Sequence, residues 1–401
     1  NILEELDEPG EWFLHRRSGN LYFWPPEPLI ESEACVSLLE TPLFSLENAS
    51  HVAIRGLILE VTRGHGVEIT GGTGNLIAGC TIRNIGNVGA VIHGGVKNGI
   101  LSCNISETGD GGVILDGGDR KTLSPAGNFA VNNHIYNYSR WVRTCRPAVN
   151  LSGVGNRVAN NHIHDAPHMG VAFSGNDHIL EFNEVHDICR ETGDAGAFYI
   201  GRDWTMRGNI IRHNFFYDIR GSGQGGAMAV YLDDAASGAL IYGNVFCRAG
   251  RAAFIGGGRD NTVENNIFVE CEPAVHVDGR GVGWADNRIA PGGAWGMYQK
   301  LEAVNWQKPP YSKRYPQLVN IAEDSPALPK GNVIMRNISF GGRWLDIRNG
   351  VDSLNIVTVR DNFTEGDPGF INTKQMDFRL GKDSPAWKTG FKPIPFEKIG
   401  L

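Results

Sequence analysis

One phrase decides the fold: Val158-Ala159-Asn160-Asn161-His162-Ile163, in which apolar residues on both sides bracket an asparagine. It returns as Leu180-Glu181-Phe182-Asn183-Glu184-Val185, Ile241-Tyr242-Gly243-Asn244-Val245-Phe246 and Val263-Glu264-Asn265-Asn266-Ile267-Phe268. Alignment of these phrases gives the register Gly56, Cys80, Cys103, Asn133, Asn161, Asn183, Asn214, Asn244 and Asn266, with steps of 22 to 31 residues. A repeat with a minimum near 22 residues predicts a solenoid.

Within each repeat the apolar residues alternate, as in Val52 and Ile54, which is the period of a strand. No stretch predicts a convincing amphipathic helix, and the 53 glycines scattered at turns argue against one. Stacked coils of short strands bury an inward column of apolar residues and pair each strand with its equivalent one coil on. We therefore predict an all-β fold, a single-stranded right-handed parallel β-helix, the hand following from parallel crossover connections.

The repeated asparagines have a structural interpretation. At a corner of the coil, asparagine tolerates the left-handed conformation, and its side chain bonds the backbone of the neighbouring coil. We assign this scaffold role to Asn133, Asn161, Asn183, Asn214, Asn244 and Asn266.

The repeat also divides the chain. Residues 1–48 lack it and form a turn-rich aromatic segment suited to capping the open edges of the first coil. Residues 49–290 are the coils, residues 291–330 form an inserted loop rich in aromatic residues and proline, and residues 331–401 hold the last coils and a closing tail that includes Asp377-Phe378-Arg379-Leu380.

The amino-acid composition limits the classes of partner that the chain can bind. The chain is 41% hydrophobic and 20% charged, so its 401 residues can bury one long core. A net charge of -7 without a run of Lys or Arg predicts no nucleic-acid or membrane partner. The seven cysteines occur singly, which favours buried free thiols at Cys80 and Cys103 over disulfides or zinc. The chain opens without Met and shows no signal peptide.

Long repeats indicate where function lies, because a β-helix needs only its minimal coil and places extra residues in surface loops. The extra residues include Gly117–Lys121, Tyr138–Trp141, Glu191–Asp194 and Gly221–Gln224. If these loops project on one side, they form the walls of a groove that suits an extended chain molecule.

Acidic residues concentrate beside these loops. Alignment of Tyr199 with Tyr231 places Gly201 beside Asp233 and Arg202 beside Asp234. Carboxyl groups gathered in this way raise one another's pKa, which keeps a proton available for general acid catalysis. The structural alternative is that these acids bond turn backbone or pair with Arg202, Arg207 and Arg259.

A column of aromatic residues, Tyr136, His164, His186 and Tyr217, is followed by Asn137, Asp165, Asp187 and Asp218, with His168 nearby. Histidine followed by aspartate is compatible with metal ligation. The spacing repeats the coil itself, however, so we interpret the column as a structural ladder and predict no metal and no cofactor.

Several phrases resemble bacterial right-handed β-helix proteins related to glycoside hydrolase family 141. The phrases are Glu4–Trp12, Gly193–Ala197, Gly201–Trp204, Tyr231–Asp234 and Gly257–Asn261, and the resemblance extends over nearly the whole chain. It implies a glycoside hydrolase that acts on a plant or microbial polysaccharide, and a secreted or periplasmic location. The resemblance further implies a catalytic pair made of Asp194 and either Asp233 or Asp234.

The remaining candidates for substrate binding are Glu191, His168, Tyr199, Arg202, Asp203, Trp204, Tyr231 and Arg259. In a straight strand, Asp194 and Asp233 lie seven positions out of register, or roughly 23 Å apart, whereas an inverting pair needs about 6.5–9.5 Å. Either residues 193–196 fold back, or the partner of Asp233 is Asp203.

Two other functions fit the same fold. A polysaccharide lyase would use Arg202, Arg259, His168, Tyr199 or Tyr231 to neutralise a uronate and remove a proton. A glycan-binding solenoid without catalysis would depend on aromatic platforms such as Trp204 and Trp141.

Overall fold

A computed structural model describes residues 2–31, 34–223 and 226–401, and the chain separates into two compact units, Asn1–Leu38 and Leu39–Leu401. The first unit contains an antiparallel hairpin of Trp12–His15 with Asn20–Phe23. It also contains 3-10 turns at Leu3–Glu5 and Leu29–Glu31. The capping role of this segment stays a prediction. Phe44–Glu47, which the sequence placed in the cap, is the first strand of the third sheet.

The second unit is built from three long sheets, which we number in the order that a coil visits them. The first sheet contains Ala53–Arg55, Leu76–Ala78, Gly99–Leu101, Phe129–Val131, Arg157–Ala159, Ile179–Glu181, Ile210–Arg212, Leu240–Tyr242, Thr262–Glu264, Asn332–Met335 and Val357–Arg360. The second contains Ile58–Thr62, Thr81–Ile85, Asn104–Thr108, His134–Tyr136, His162–His164, Glu184–His186, Phe215–Tyr217, Val245–Cys247, Ile267–Cys271 and Ile338–Gly342. The third contains Phe44–Glu47, Val67–Thr70, Ala90–His93, Val113–Leu115, Val149–Leu151, Val171–Phe173, Ala195–Gly201, Ala227–Asp233, Arg251–Gly256, Val275–Asp278 and Leu345–Arg348.

Neighbouring strands in all three sheets are parallel and come from successive coils, as in the pairing of Val158 with Leu180. The all-β right-handed parallel β-helix is therefore confirmed. Its core is a column of apolar residues that face inward from each sheet. Phe216, Phe246 and Phe268 stack within it with ring centroids 4.9–5.1 Å apart.

The asparagine ladder is confirmed, with one correction. The amide oxygen of Asn183 accepts the backbone N–H of Asn161 at 3.0 Å, and its amide nitrogen donates to Asn214 at 2.8 Å. The left-handed conformation, which we assigned to the ladder asparagine, belongs instead to the preceding residue, such as Asn160 or Phe182. The ladder asparagine itself acts through its side chain, which satisfies buried backbone groups of the coils on both sides.

The start of the predicted register needs a shift of one residue. Thr81 donates its N–H to the carbonyl of Leu57, so Leu57 rather than Gly56 lies beside Cys80. Cys80 and Cys103 are buried free thiols as predicted.

The segment 291–330, predicted as a loop, contains helices. Met297–Val304 and Tyr311–Arg314 follow a single helical turn at Asp286–Ile289. Met297, Leu301 and Val304 are buried because residues at i, i+4 and i+7 share one face, a pattern too short to stand out among strands. This insertion packs on Trp204 and Ala235 to form a second apolar cluster. None of the helices in the described ranges is long and apolar enough to cross a membrane.

The C-terminal tail follows a short antiparallel pair, Phe370–Asn372 with Asp377–Leu380. Phe378, Phe391 and Ile394 cover the apolar outer face of the second sheet. The backbone N–H of Gly400 finally donates to the carbonyl of Phe182 at 2.9 Å. The tail therefore runs back along the side of the coils.

The predicted aromatic column also forms a stacked ladder. Ring centroids lie 5.2 Å apart between Tyr136 and His164, 5.0 Å between His164 and His186, and 4.4 Å between His186 and Tyr217. The column lies on the outer face of the second sheet.

Candidate active site

Two columns of outward side chains on the third sheet build the site. Pairing between coils aligns Tyr199, Tyr231, Phe254, His276 and Asp346. Two residues further along each strand, a second column runs through Gly201, Asp233, Gly256, Asp278 and Arg348. The predicted pairing of Tyr199 with Tyr231 and of Gly201 with Asp233 is confirmed.

The strands that carry these columns are bent. Ala197 and Phe198 both face the core, as do Ala229 and Val230 on the next strand, which a straight strand forbids because its side chains alternate. The outer face closes inward at the bend. A Cβ added to Gly196 would lie only 2.7 Å from the Cβ of Tyr231, so glycine is needed there for the close approach.

Tyr231 connects Asp194 to the strand of Asp233. The Tyr231 hydroxyl donates a hydrogen bond to Asp194 Oδ1 at 3.0 Å, and Tyr231 lies two residues before Asp233 on the same strand. Asp194 and Asp233 line one pocket. The separation of roughly 23 Å expected for a straight strand is therefore wrong, and residues 193–196 do fold back toward Asp233.

Asp233 is buried among groups that shift its pKa in opposite directions. Its carboxylate accepts a hydrogen bond from the Tyr199 hydroxyl at 2.9 Å and pairs with Arg280. Burial raises the pKa of Asp233, and the neighbouring Asp234 carboxylate raises it further, against the pull of Arg280. Asp194 is exposed to solvent, so the two carboxyl groups have opposite environments.

Arg280 crosses the site and holds three carboxylates. It pairs with Asp233, with Asp234 at 2.9 Å and with Asp278 at 2.9 Å. A Cβ on Gly256 would lie 2.5 Å from Arg280 Cζ, so the guanidinium can span the middle coil only because that position is glycine. Hydrogen bonds and charge from its carboxylate partners raise the pKa of Arg280 despite its burial.

Asp234 follows the strand in a left-handed turn with φ of 40°. Arg202 holds its second oxygen at 2.7 Å, as the sequence alignment predicted. Lys300 of the inserted segment donates to the Arg202 carbonyl at 2.5 Å and so ties the insertion to this turn. Asp234 is thus fully engaged by cations.

The far end of the site is an ion-pair network. His276 Nδ1 lies 2.9 Å from Asp346, and His276 Nε2 lies 3.8 Å from Asp278. Burial would raise the pKa of Asp278, but hydrogen bonds from His276 and Arg280 lower it overall. The environment of Asp278 therefore favours its ionised form, whereas the environment of Asp233 favours its protonated form.

Aromatic and basic side chains line the rest of the pocket. Its volume is about 430 Å³, which is within the usual range for small-molecule sites. Phe254 and Trp284 lie under the Arg280 guanidinium, 5.1 and 5.6 Å from it. Arg251 and Arg288 also line it, and among the described residues neither has an ion-pair partner.

Of the predicted site residues, the structure brings together Asp194, Tyr199, Arg202, Tyr231, Asp233 and Asp234. It places five elsewhere. Glu191 pairs with Arg143 at the surface, and His168 lies against the Cys145 backbone, two coils before the pocket.

The other three are buried and occupied, which corrects their predicted roles. Asp203 is 2% exposed and binds Thr205 and Arg120, so it is not the partner of Asp233. Trp204 is fully buried under the insertion and offers no platform to a ligand. Arg259 pairs with Asp324.

Sequence reasoning missed Phe254, His276, Asp278, Arg280 and Asp346. The signal was present, because the register of Tyr199 and Tyr231 continues for three more coils to Phe254, His276 and Asp346. Gly256-Gly257-Gly258 also marks a place where a side chain from elsewhere must cross.

The carboxylates of this pocket do not form a cation site. Asp233, Asp234 and Asp278 converge, but the guanidinium of Arg280 occupies the position between them that a cation would take. The pocket can hold a proton on Asp233, a solvent-accessible carboxyl group on Asp194, and an anionic or polar ligand near Arg251 and Arg288.

Comparison with known proteins supports the fold. The family model described as the right-handed beta helix region matches residues 43–140 and 147–290. No curated protein matches the sequence significantly.

Three solved structures are similar in fold at low identity. One titled "Glycoside hydrolase" has 11% identity and a TM-score of 0.46 over 96% of this chain, which spans 60% of that protein's length. The pectate lyase Pel9A has 13% identity and a TM-score of 0.40, with 80% of this chain and 67% of that one covered. The alginate lyase AlyF-OU02 has 13% identity and a TM-score of 0.43, with 91% and 90% covered.

Proposed function

Because the chain belongs to the family of right-handed β-helix proteins, we propose that its pocket is the active site of a glycoside hydrolase acting on a plant or microbial polysaccharide. The observation that carries this proposal is that two carboxyl groups, Asp194 and Asp233, line one pocket. Glycosidases use two carboxyl groups in different protonation states on either side of the scissile bond.

The environments of the two groups assign their roles. Asp233 is buried beside Asp234, and its raised pKa favours the protonated form that a general acid needs. Asp194 is exposed to solvent just before its strand, where its carboxyl group is accessible to a substrate. Asp233 would protonate the leaving oxygen while Asp194 attacks the anomeric carbon or activates water.

We further propose that Asp194 itself attacks the anomeric carbon. The Tyr231 hydroxyl donates to Asp194 Oδ1 at 3.0 Å and so orients this carboxylate in the pocket. Attack by the carboxylate forms a glycosyl-enzyme intermediate, and its hydrolysis gives retention of configuration at the anomeric carbon.

The pocket walls suit a sugar ring. Aromatic faces such as Phe254 and Trp284 provide apolar surfaces, and arginines provide hydrogen-bond donors to hydroxyl or acidic groups. A polymeric substrate of this kind is encountered outside the cytoplasm, so we include a secreted or periplasmic location in the proposal.

A polysaccharide lyase is the second candidate, favoured by Arg251 and Arg288, which line the pocket and have no ion-pair partner among the described residues. They could neutralise a uronate carboxylate, as β-elimination requires. The reaction also needs a base, and burial together with Asp233 raises the pKa of both Tyr199 and Tyr231, which keeps these phenols protonated. This difference places hydrolysis first.

The test is product analysis on a panel of xylans, pectins and uronate polymers. Reducing ends and ultraviolet absorbance are followed in parallel for the wild type, Asp194→Asn, Asp233→Asn and the control Asp361→Asn, whose carboxylate is half-exposed and pairs with Arg360. Hydrolysis predicts reducing ends without absorbance, lost in the first two variants and kept in the control.

New absorbance at the rate of chain cleavage would establish the lyase instead. Full activity in both Asp194→Asn and Asp233→Asn would contradict the pocket assignment. Binding of a polymer by wild type and both variants, with no turnover on any substrate, would favour a glycan-binding solenoid.

A further inference from the structure

A second cluster of titratable residues lies on the outer face of the second sheet, apart from the pocket. His134 and His162 are paired on neighbouring strands, and His164 and His186 form the adjacent column. The Nε2 atoms of His134 and His164 are 2.7 Å apart, and those of His162 and His186 are 2.8 Å apart. Four imidazoles therefore meet on one small patch. Only the His164 and His186 column was evident in the sequence.

Aspartates fix the orientation of two of these rings. His164 Nδ1 lies 2.7 Å from Asp165, and His186 Nδ1 lies 2.8 Å from Asp187. In this arrangement each Nδ1–H donates to a carboxylate oxygen, and Nε2 is the ring nitrogen directed into the cluster. This carboxylate–histidine arrangement is the one that supports metal ligands in proteins.

The donor set is accessible from solvent. The His164 side chain keeps 14% of its surface exposed, which gives an ion a path from solvent. The apolar tail that covers later coils of this face ends beside Phe182.

The distances fit a small transition metal. One ligand atom from each of His134, His162 and His164 lies within 4.8 Å of the others. Tetrahedral coordination with bonds of about 2.0–2.1 Å needs nitrogens about 3.3 Å apart. The pair at 2.7 Å must open by about 0.6 Å, which small rotations of the rings can supply.

A second set of three groups shares His162 and adds Glu184 and His186. Its carboxylate is already engaged, because the Tyr217 hydroxyl donates to Glu184 at 2.9 Å. In the three-histidine set no carboxylate has to be released: His134 and His164 hydrogen-bond each other, and His162 hydrogen-bonds His186.

We propose that His134, His162 and His164 bind one divalent transition-metal ion, of the class Zn²⁺, Ni²⁺ or Cu²⁺ that imidazole ligands favour. The ion replaces the hydrogen bond between His134 and His164, and Asp165 holds His164 in the ligating tautomer. The site is independent of the proposed catalytic pocket.

The test is calorimetric titration of untagged protein with Ni²⁺ and, separately, Zn²⁺ at pH 7.5. All proteins carry Cys35→Ser and Cys145→Ser, because these exposed thiols would compete for the metal. We expect one ion per chain, at least about 100-fold weaker binding in His162→Asn, and about 10–100-fold weaker binding in Asp165→Asn. His93→Asn, an exposed histidine on the third sheet, should bind as the wild type does.

We expect Asp165→Asn to fold as the wild type does, because Asp165 has φ of 50°, a conformation that asparagine also adopts. Circular dichroism and thermal unfolding without metal check each variant. Uptake of less than one ion per chain by the wild type, or equal affinity in the wild type and folded Asp165→Asn, would overturn the proposal and leave the cluster as a stacked ladder.

Discussion

On the outer faces of the second and third sheets, side chains stack from coil to coil in the same way, but the two faces form different structures. On the second sheet, His164 stacks on His186 with ring centroids 5.0 Å apart, so that a side chain meets its own kind one coil on. On the third sheet, the equivalent column changes at almost every coil and passes from Tyr231 through Phe254 to His276. Repetition yields a ladder, whereas variation along a column brings unlike groups into contact and creates a pocket.

Removal of Arg280 should have the largest effect on this contrast, because the guanidinium holds Asp233, Asp234 and Asp278 together. Arg280→Met leaves the buried Asp233 without a cationic partner and removes one of the cationic partners of Asp234 and Asp278. Loss of one partner of a buried pair typically costs about 3–5 kcal/mol of unfolding free energy. Chemical denaturation should show a loss of at least that size, with little change in Arg251→Met. Equal stability of the two variants would contradict the bridging role.

The scaffold shared by both faces should be the next most sensitive. Asn183→Ala removes a fully buried amide that satisfies Asn161, Val158 and Asn214. Each buried group left unpaired costs about 1–3 kcal/mol, so we expect a loss of about 3 kcal/mol in unfolding free energy.

The matched control for the scaffold is Asn287→Ala, an exposed asparagine in the helical turn Asp286–Ile289. It should change stability by less than about 0.5 kcal/mol. A similar small effect for Asn183→Ala would mean that the ladder contributes little.

Gly256→Ala should distinguish the contribution of the pocket to activity from the contribution of the scaffold. The added methyl would lie 2.5 Å from Arg280 Cζ and displace the guanidinium from Asp233. Misplacement of a positioning group by about 1 Å can lower activity about 100-fold, so we expect a loss of 10–100-fold in kcat/KM on the substrate found by the panel. Gly381→Ala, whose nearest contact is 3.4 Å, should retain activity. Unchanged activity in Gly256→Ala would show that Arg280 does not position the acid.

Asp234→Asn should change the pH profile more than the rate. Burial and the charge of Asp234 both raise the pKa of Asp233, so a neutral amide at 234 lowers that pKa. A general acid loses its proton as pH rises through its pKa, and the alkaline limb of kcat/KM should therefore move to lower pH by about one unit. A limb that stays in place or moves upward would contradict the assignment of Asp233 as the acid.

The smallest effect is expected on the ladder side of the comparison. His162→Asn should alter turnover by less than about twofold, because His162 lies on the second sheet and contacts no residue that lines the pocket. A larger loss of turnover with unchanged stability would show that the two faces are coupled.

The coils were predictable from sequence because the same local pattern of residues recurs in many repeats. Asn161, Asn183 and Asn214 share one position in one phrase, and the register of Tyr199 with Tyr231 follows from it. The bend at Ala197 and Phe198 was not predictable from alternation, because two successive inward residues break the period without any change in residue type. That bend is what reduces the expected separation of Asp194 and Asp233.

Residues beyond the two recognised coils were missed for a different reason. Arg280 reaches Asp233 from a turn 47 residues later, a contact that depends on the absent side chain of Gly256. The helix Met297–Val304 was missed because its apolar face spans only three residues. Both cases involve tertiary contacts that no periodic pattern encodes.

The most direct test of the central claim, that Asp233 is the acid and Asp194 the nucleophile, is leaving-group dependence. Asp233→Asn and Asp194→Asn are assayed on the natural polysaccharide and on an aryl glycoside of the same sugar, whose leaving group needs no proton. We expect Asp233→Asn to lose activity on the polysaccharide but keep most of it on the aryl glycoside, while Asp194→Asn loses both. Equal losses on both substrates in Asp233→Asn, or retained aryl-glycoside cleavage in Asp194→Asn, would contradict this division of roles.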